Sequence, residues 1–369
     1  MSLTRVSAED AAAALDGFDA VIDARSESEY AQDHLPGAVN WPVLRDDERR
    51  IVGTEYRQVS DFEARKTGAA MVARNIAAHL EQEALDKPRE WRPLVYCWRG
   101  GKRSGTLAWF LDQIGFRCHV LEGGYKAFRR TVVEQLDLLP PRLELRVVCG
   151  RTGSGKTRLL QALAAAGAQV LDLEELARHR GSVLGLLPGE QQPTQKAFET
   201  RAWDRLRRFD ATQPVWVESE SRRIGRLRVP EALIERMRRD AACVHIEMPD
   251  AARVQLLLED YAFFADDPAL FCRLLDGLIE LRGRETVQAW QALARSGRWA
   301  EVYSELMRQH YDPMYLKSMA RNFAGFERAE IVSLANGSPA MLAASARRLH
   351  AEAASAGRAE RHTGSRSTA

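Results

Sequence analysis

Apolar positions along this chain fall into two kinds of run that alternate. Short runs closed by charge or a turn, such as AVIDAR (Ala20–Arg25) and PLVYC (Pro93–Cys97), have the length and density of buried strands. Between them, spacings of three and four predict helices. Leu107, Phe110, Leu111 and Ile114 share one face, and Gly115 supplies the stop. CHVLEGGYKAF then gives a further strand and turn. Strands alternating with helices predict a parallel sheet with helices on its faces.

The pattern breaks at DLLPPRLEL (Asp137–Leu145), where Pro140 and Pro141 cannot continue a helix. It then restarts. LRVVCG is a strand, RTGSGK a glycine loop, and the following stretch a helix with Leu159, Leu160 and Leu163 on one side. AQVLDLE and PVWVESE are further strand candidates, Ile224 to Arg321 is mainly helical, and AEIVSL is a late strand. The expected organisation is an α/β protein of two domains. A first parallel-sheet domain covers 1–136, a linker 137–144, and a P-loop NTPase-like domain with a helical C-terminal part 145–340. The small, polar and basic residues 341–369 are expected to form a flexible tail.

Composition narrows the setting more than the activity. Apolar content of 45% and charged content of 28% over 369 residues are ordinary for a soluble globular chain. A net charge of +2 means that any nucleic-acid binding comes from local patches. Glu9 and Asp10 interrupt the apolar N-terminal stretch, unlike an export signal, and no apolar run is long enough for a membrane span. The five cysteines, Cys97, Cys118, Cys149, Cys243 and Cys272, show no CxxC pair. The expected location is therefore the cytoplasm, with free thiols and no membrane partner.

One of those thiols stands apart. Cys97 ends a strand and is followed by Trp98, Arg99, Gly100, Gly101, Lys102, Arg103 and Ser104, which lead into a helix. Ligands of parallel sheets collect at that edge. Backbone N–H groups of a glycine turn and the helix N-terminus both favour an anion there. With Arg99, Lys102 and Arg103 close in sequence, the thiol is expected to ionise readily and act as a nucleophile or a carrier. The competing reading is a buried cysteine beside a solvated basic loop. Cys118, Cys149, Cys243 and Cys272 lie in apolar stretches and are assigned to the core.

A second loop, GRTGSGKT, fits G-x-x-x-x-G-K-[ST] between a strand and a helix. Gly150, Thr152, Gly153, Ser154 and Gly155 let backbone N–H groups wrap a phosphate, Lys156 neutralises it, and Thr157 is a candidate magnesium ligand. ATP or any other pyrophosphate ester satisfies such a cradle. Asp172, Glu218 and Glu220 end strands as candidate magnesium or water-orienting carboxylates, or as solvated charges. Arg178, His179 and Arg180 precede a glycine in a form suited to phosphates or an RNA backbone, and Arg222 is a further candidate contact. RAWDRLRRFD interleaves Trp203 and Phe209 with arginines, which fits an RNA surface and a plain amphipathic helix equally. The aromatics Tyr261 to Phe264, with Phe271, line an apolar pocket or belong to the core.

The first half resembles a rhodanese domain over roughly residues 14 to 135, through VIDARSESEYAQDHLPGAVNWP, CWRGGKRS and LEGGYKAF. From Cys97 to Arg103 the loop is one residue longer than the common sulfurtransferase loop, which suits a larger atom or anion; by length alone a phosphatase-like loop stays open. A rhodanese-like domain followed by a P-loop, with ERRIVGTEYRQ, DLEELARHRGSVLG, QPTQKAFE, VESESRRIG and YDPMY, resembles the bacterial tRNA 2-selenouridine synthase family. That resemblance implies exchange of sulfur for selenium in the wobble 2-thiouridine of tRNA. It further implies selenophosphate as donor and an S-geranyl intermediate made from geranyl diphosphate. Cys97 would carry or deliver selenium, and the P-loop would grip the diphosphate. The implied partners are tRNA and a selenophosphate-supplying enzyme, with no tightly bound cofactor. The other class that the same loops allow is a sulfurtransferase fused to an ATP-dependent small-molecule kinase.

Overall fold

The structure is a computed structural model that describes residues 3–186 and 188–364. The chain divides into two compact units, 1–135 with 193–204, and 136–192 with 205–369. The first unit is thus not contiguous, because a helix far along the chain completes it.

The first unit is built on strands β1 (Thr4–Val6), β2 (Ala20–Asp23), β3 (Ala38–Asn40), β4 (Pro93–Tyr96) and β5 (His119–Leu121), all parallel in the order β1-β5-β4-β2-β3. Helices α1 (Ala8–Ala13) and α2 (Glu27–Gln32) accompany the first strands. A helical hairpin, α3 (Asp46–Gln58) and α4 (Asp61–His79), is inserted between β3 and β4. Helices α5 (Lys102–Ile114) and α6 (Gly124–Leu138) follow β4 and β5. Ile22, Val95, Leu107, Leu111 and Val120 meet in one core, so the predicted strand and helix faces bury together.

The second unit repeats the architecture with β6 (Leu145–Gly150), β7 (Gln169–Leu171), β8 (Val215–Glu218), β11 (Ala242–Glu247) and β12 (Glu330–Ser333). Their order is β12-β11-β6-β8-β7, again parallel. A small antiparallel hairpin, β9 (Arg223–Ile224) and β10 (Leu227–Arg228), hangs from β8. Helix α7 (Lys156–Ala165) follows β6, and α8 (Leu173–Ala177) follows β7. Helix α9 (Gln195–Leu206) belongs for most of its length to the first unit. Then come α10 (Glu231–Arg239), α11 (Asp250–Asp260), α12 (Pro268–Leu275), α13 (Ile279–Arg282), α14 (Arg284–Arg295), α15 (Trp299–Leu306), α16 (Asp312–Asn322) and α17 (Pro339–Gly364).

Three expectations change. Residues 341–364 are not a flexible tail, because α17 buries Leu342, Ala346, Leu349 and Ala353 in one core with Leu159, Leu160 and Leu163. Those four positions keep helical spacing, which the small side chains around them disguise as low complexity. Residues 365–369 lie outside the described residues. The linker 137–144 is also structured. Helix α6 runs to Leu138, Pro140–Arg142 forms a 3-10 turn, and Arg236 donates two hydrogen bonds to the Leu143 carbonyl at 3.1 Å. In α9, Trp203 is fully buried, packs edge-on against Phe128 and donates to Gln135 Oε1 at 2.6 Å. It is a core residue, not a stacking platform for bases. No helix among the described residues is long and apolar enough to cross a membrane.

Candidate functional site

The carboxyl end of β4 delivers Cys97 to the floor of a loop that closes on the first turn of α5. Cys97 is only 3% exposed. Burial pushes its thiol up, but Ser104 Oγ and the backbone N–H groups of Ser104, Arg99 and Gly101 outweigh this and hold it below the ordinary thiol value. Ser104 Oγ lies 3.1 Å from Sγ. The neutral donors do this, not the three cations expected to. Arg99 and Lys102 are exposed, and Arg103 turns away to pair with Glu29 at 2.7 Å. Elsewhere the balance goes the other way: burial pushes the Cys118 thiol up to about 12 and raises Cys272, and the hydrogen bond to Cys243, then burial, raises Cys149.

The loop is braced from behind. The N–H groups of Tyr125 and Lys126 donate to the carbonyls of Cys97 (2.8 Å) and Trp98 (3.0 Å), and the rings of Trp98 and Tyr125 stack at 5.4 Å. A side chain at Gly124, whose φ is +59°, would put its Cβ 2.3 Å from the Cys97 carbonyl. Only glycine permits this approach. Beneath it, Asp23 and Arg25 form a buried pair at 2.6 Å, Tyr96 donates to Asp23 at 2.7 Å, and Arg25 lies over the Tyr125 ring at 4.0 Å. Asp33 accepts from Tyr125 (2.7 Å) and from Thr200 of α9 (2.9 Å). Asp23, Arg25 and Glu29 of the VIDARSESEYAQ stretch therefore support the loop from outside it.

In the second unit the end of β6 becomes the glycine loop. Lys156 Nζ donates to the Gly150 carbonyl at 2.8 Å, and Gly150 N–H donates to Tyr315 Oη at 2.6 Å. Asp312 takes Arg151 at 3.2 Å and the fully buried Arg253 at 2.5 Å, while Arg253 also donates to the Thr152 carbonyl at 2.9 Å. The YDPMY segment thus clamps the loop, a role its spacing alone does not announce. The cleft above, of about 220 Å³, is lined by the loop from Thr152 to Arg158 and by Glu174, Arg180, Leu257 and Tyr261.

Acids gather behind this loop. Glu218 accepts from Glu174 N–H at 2.9 Å, and Thr157 Oγ1 donates to Glu174 Oε2 at 3.3 Å. Burial first, then neighbouring carboxylates, raises Glu218 well above the usual range and pushes Glu220 up to about 8. Burial raises Glu174 too, against the opposing charge of Lys156. Glu174 stands in the first turn of α8, where its sequence context reads only as an acid favoured at a helix N-terminus. Gly181 at φ +62° makes room for the pair: a Cβ there would lie 2.8 Å from Glu220 and 2.9 Å from Glu174. Among the described residues no three His, Cys, Asp or Glu side chains converge at metal-ligand spacing.

The remaining candidates scatter. Asp172 caps α8 by accepting from Glu175 N–H at 2.8 Å. Arg178 is exposed and His179 buried, so of that trio only Arg180 reaches the cleft, donating to the Asp260 carbonyl and lying over Tyr261 at 4.9 Å. Arg222 instead pairs with Glu231. Phe264 and Phe271 are fully buried core. The slot lined by Tyr261, Tyr303 and Tyr311 holds about 10 Å³, too little for a hydrocarbon chain.

Two anion cradles on two parallel sheets define a rhodanese-like module joined to a P-loop module in one chain. Residues 7–131 match the rhodanese-like domain family, and residues 143–271 match the tRNA 2-selenouridine synthase AAA domain. The chain is 32% identical to the tRNA 2-selenouridine synthase of Alcanivorax borkumensis over 86% of its own length and 95% of that protein. It is 33% identical to that of Salmonella enteritidis over 87% and 94%. It is 38% identical to that of Nitrosomonas europaea, an alignment spanning 65% of this chain and 63% of its relative. The chain belongs to the tRNA 2-selenouridine synthase family.

Proposed function

We propose that this chain is a transferase that replaces the sulfur of 2-thiouridine in tRNA with selenium, in two half-reactions, one at each cradle. The observation that carries this reading is a thiol held below its ordinary value by neutral donors in one unit, with a lysine-bearing phosphate cradle in the other. Neither cradle alone accounts for the exchange.

Sulfide is a poor leaving group from a thiocarbonyl, and alkylation improves it. In the first half-reaction the sulfur attacks C1 of geranyl diphosphate. The C–S bond forms, the C–O bond breaks, and diphosphate leaves with the bonding pair. Lys156, Arg180 and the N–H groups of the glycine loop stabilise that charge as it develops, a role that requires no kinase chemistry. Thr157 and Glu174 would be the residues to hold a magnesium ion here, through hard oxygens. Such an ion would supply further neutralisation of the leaving group.

In the second half-reaction the selenium of selenophosphate, held at the Cys97 loop, attacks C2 of the S-geranyl base, and water then cleaves the P–Se bond to release phosphate. The C–Se bond forms, the C–S bond breaks, and geranylthiol departs. The ring of N–H groups around Cys97 Sγ steadies negative charge on the sulfur and on the selenium anion beside it. A selenophosphate-supplying enzyme is the implied partner, and the cytoplasm is the setting for both.

Mass spectrometry of tRNA nucleosides from cells with and without this protein tests the reading. Loss of 2-selenouridine together with its geranylated precursor is expected. Unchanged nucleosides, with ATP hydrolysis by the purified protein in the absence of RNA, would replace it with the kinase fusion.

A further inference from the structure

The helical hairpin α3–α4 carries the ERRIVGTEYRQ segment and meets the surroundings of the Cys97 loop through Arg49, which pairs with Glu29 at 3.1 Å. Where the hairpin meets α5 it leaves an open groove of about 440 Å³. That size falls within the range of small-molecule sites. Leu44, Val52, Tyr56, Val72, Ala69 and Phe110 give it an apolar lining, while Lys102 and Arg103 line it from the first turn of α5. These two cations directly follow Gly101, whose N–H points at Cys97. Arg103 is committed to Glu29, whereas the Lys102 ammonium has no side-chain partner among the described residues. Ile51, Tyr56, Val59 and Phe62 extend the exposed apolar surface along the hairpin. An apolar groove beside a free cation suits a ligand with a hydrocarbon chain and an anionic head. Exposed apolar surface of this extent marks a binding site more often than chance.

We propose that this groove is an isoprenoid-binding site, which takes the ten-carbon chain of the S-geranyl uridine during the exchange at the Cys97 loop, with Lys102 facing the RNA phosphates. The inference rests on the S-geranyl intermediate proposed above. It gives the second half-reaction the apolar hold that the first unit otherwise lacks.

The test is equilibrium binding of the full chain to anticodon stem-loop oligonucleotides carrying either S-geranyl- or S-methyl-2-thiouridine. The groove makes the geranyl form bind about tenfold tighter. Ala69→Trp, at an exposed position on the groove wall, should abolish that preference, and Ala73→Trp should do the same, with circular dichroism reporting the fold of each. Equal affinity of the wild type for both oligonucleotides overturns the proposal, as does a preference that survives both tryptophans. Two other results also overturn it: loss of geranyl diphosphate binding alone, and a dimer that the variants dissociate without change in nucleoside preference. Wild-type protein that shows the preference, loses it in the variants, yet never converts the S-geranyl base to selenouridine keeps the groove and discards the intermediate.

Discussion

At the ends of β4 and β6 the chain makes the same local object twice, a glycine turn between a parallel strand and the N-terminus of a helix. What surrounds the two turns differs. Around Cys97 the donors that count are neutral, three backbone N–H groups and the Ser104 hydroxyl, and the nearby cations face outward or are paired. Around Lys156 the charge is inside, and behind it stand the buried acids Glu174, Glu218 and Glu220, whose ionisation burial holds back. A ring of dipoles suits one negative charge confined to a single soft atom. A lysine backed by acids suits a multiply charged oxyanion that arrives with a cation and leaves again. One turn geometry is therefore specialised by its second layer of residues.

Exchanging the two defects gives the largest effects. Cys97→Ala should abolish selenium incorporation and leave geranylation of 2-thiouridine in tRNA detectable. Lys156→Ala should lower kcat/KM for geranyl diphosphate by about 10²-fold, yet leave selenation of a pre-geranylated tRNA. Steady-state assays with each purified variant on both substrates check this. Loss of both activities in either folded, tRNA-binding variant would break the division of labour between the cradles.

A smaller effect sharpens the claim that neutral donors tune the thiol. Ser104→Ala removes one hydrogen bond to Sγ while burial of Cys97 stays. The thiolate is then less favoured, and alkylation by iodoacetamide at pH 7 should slow by roughly ten- to a hundredfold, the worth of one hydrogen bond to a charged acceptor. Lys102→Ala should change that rate far less. Equal slowing in both variants would return the tuning to the cations.

The two units were not equally legible in the sequence. Strand-loop-helix order and both turns are local features, written in Pro93–Gly105 and Leu145–Leu163, and they stand as expected. What supports the turns comes from afar. Tyr315 and Asp312 reach the glycine loop from some 160 residues downstream, and Thr200 completes the network at Asp33 from within the second half of the chain. No periodicity reports such partners. The tail was misjudged for another reason: alanine-rich helix faces bury area through close packing, and composition alone reads them as unstructured. The basic trio Arg178–Arg180 shows the converse error, since αL geometry at Arg178 turns the three side chains to different surroundings.

The acids behind the P-loop give the smallest and most discriminating test. Glu220 has its carboxyl pushed up to about 8, first by burial and then by Glu174. A carboxyl whose value is higher in the folded than in the unfolded chain binds more protons when folded. Its stabilising contribution is complete below the unfolded value of about 4.3 and is lost as pH rises through about 8. Glu220→Gln keeps the shape and removes the titration. The urea midpoint of the variant should therefore fall less between pH 5 and pH 8.5 than that of the wild type, with the two closest at the acid end. Magnesium sharpens the comparison further, because an added cation favours the ionised acids. Wild-type binding of magnesium with geranyl diphosphate should tighten over the same pH interval, and the Gln variant should show a shallower dependence. The Cys97 cradle contains no such acid cluster, so the Glu220→Gln change should leave the pH profile of Cys97 alkylation where it is. A shift there would mean that the two cradles do not titrate independently.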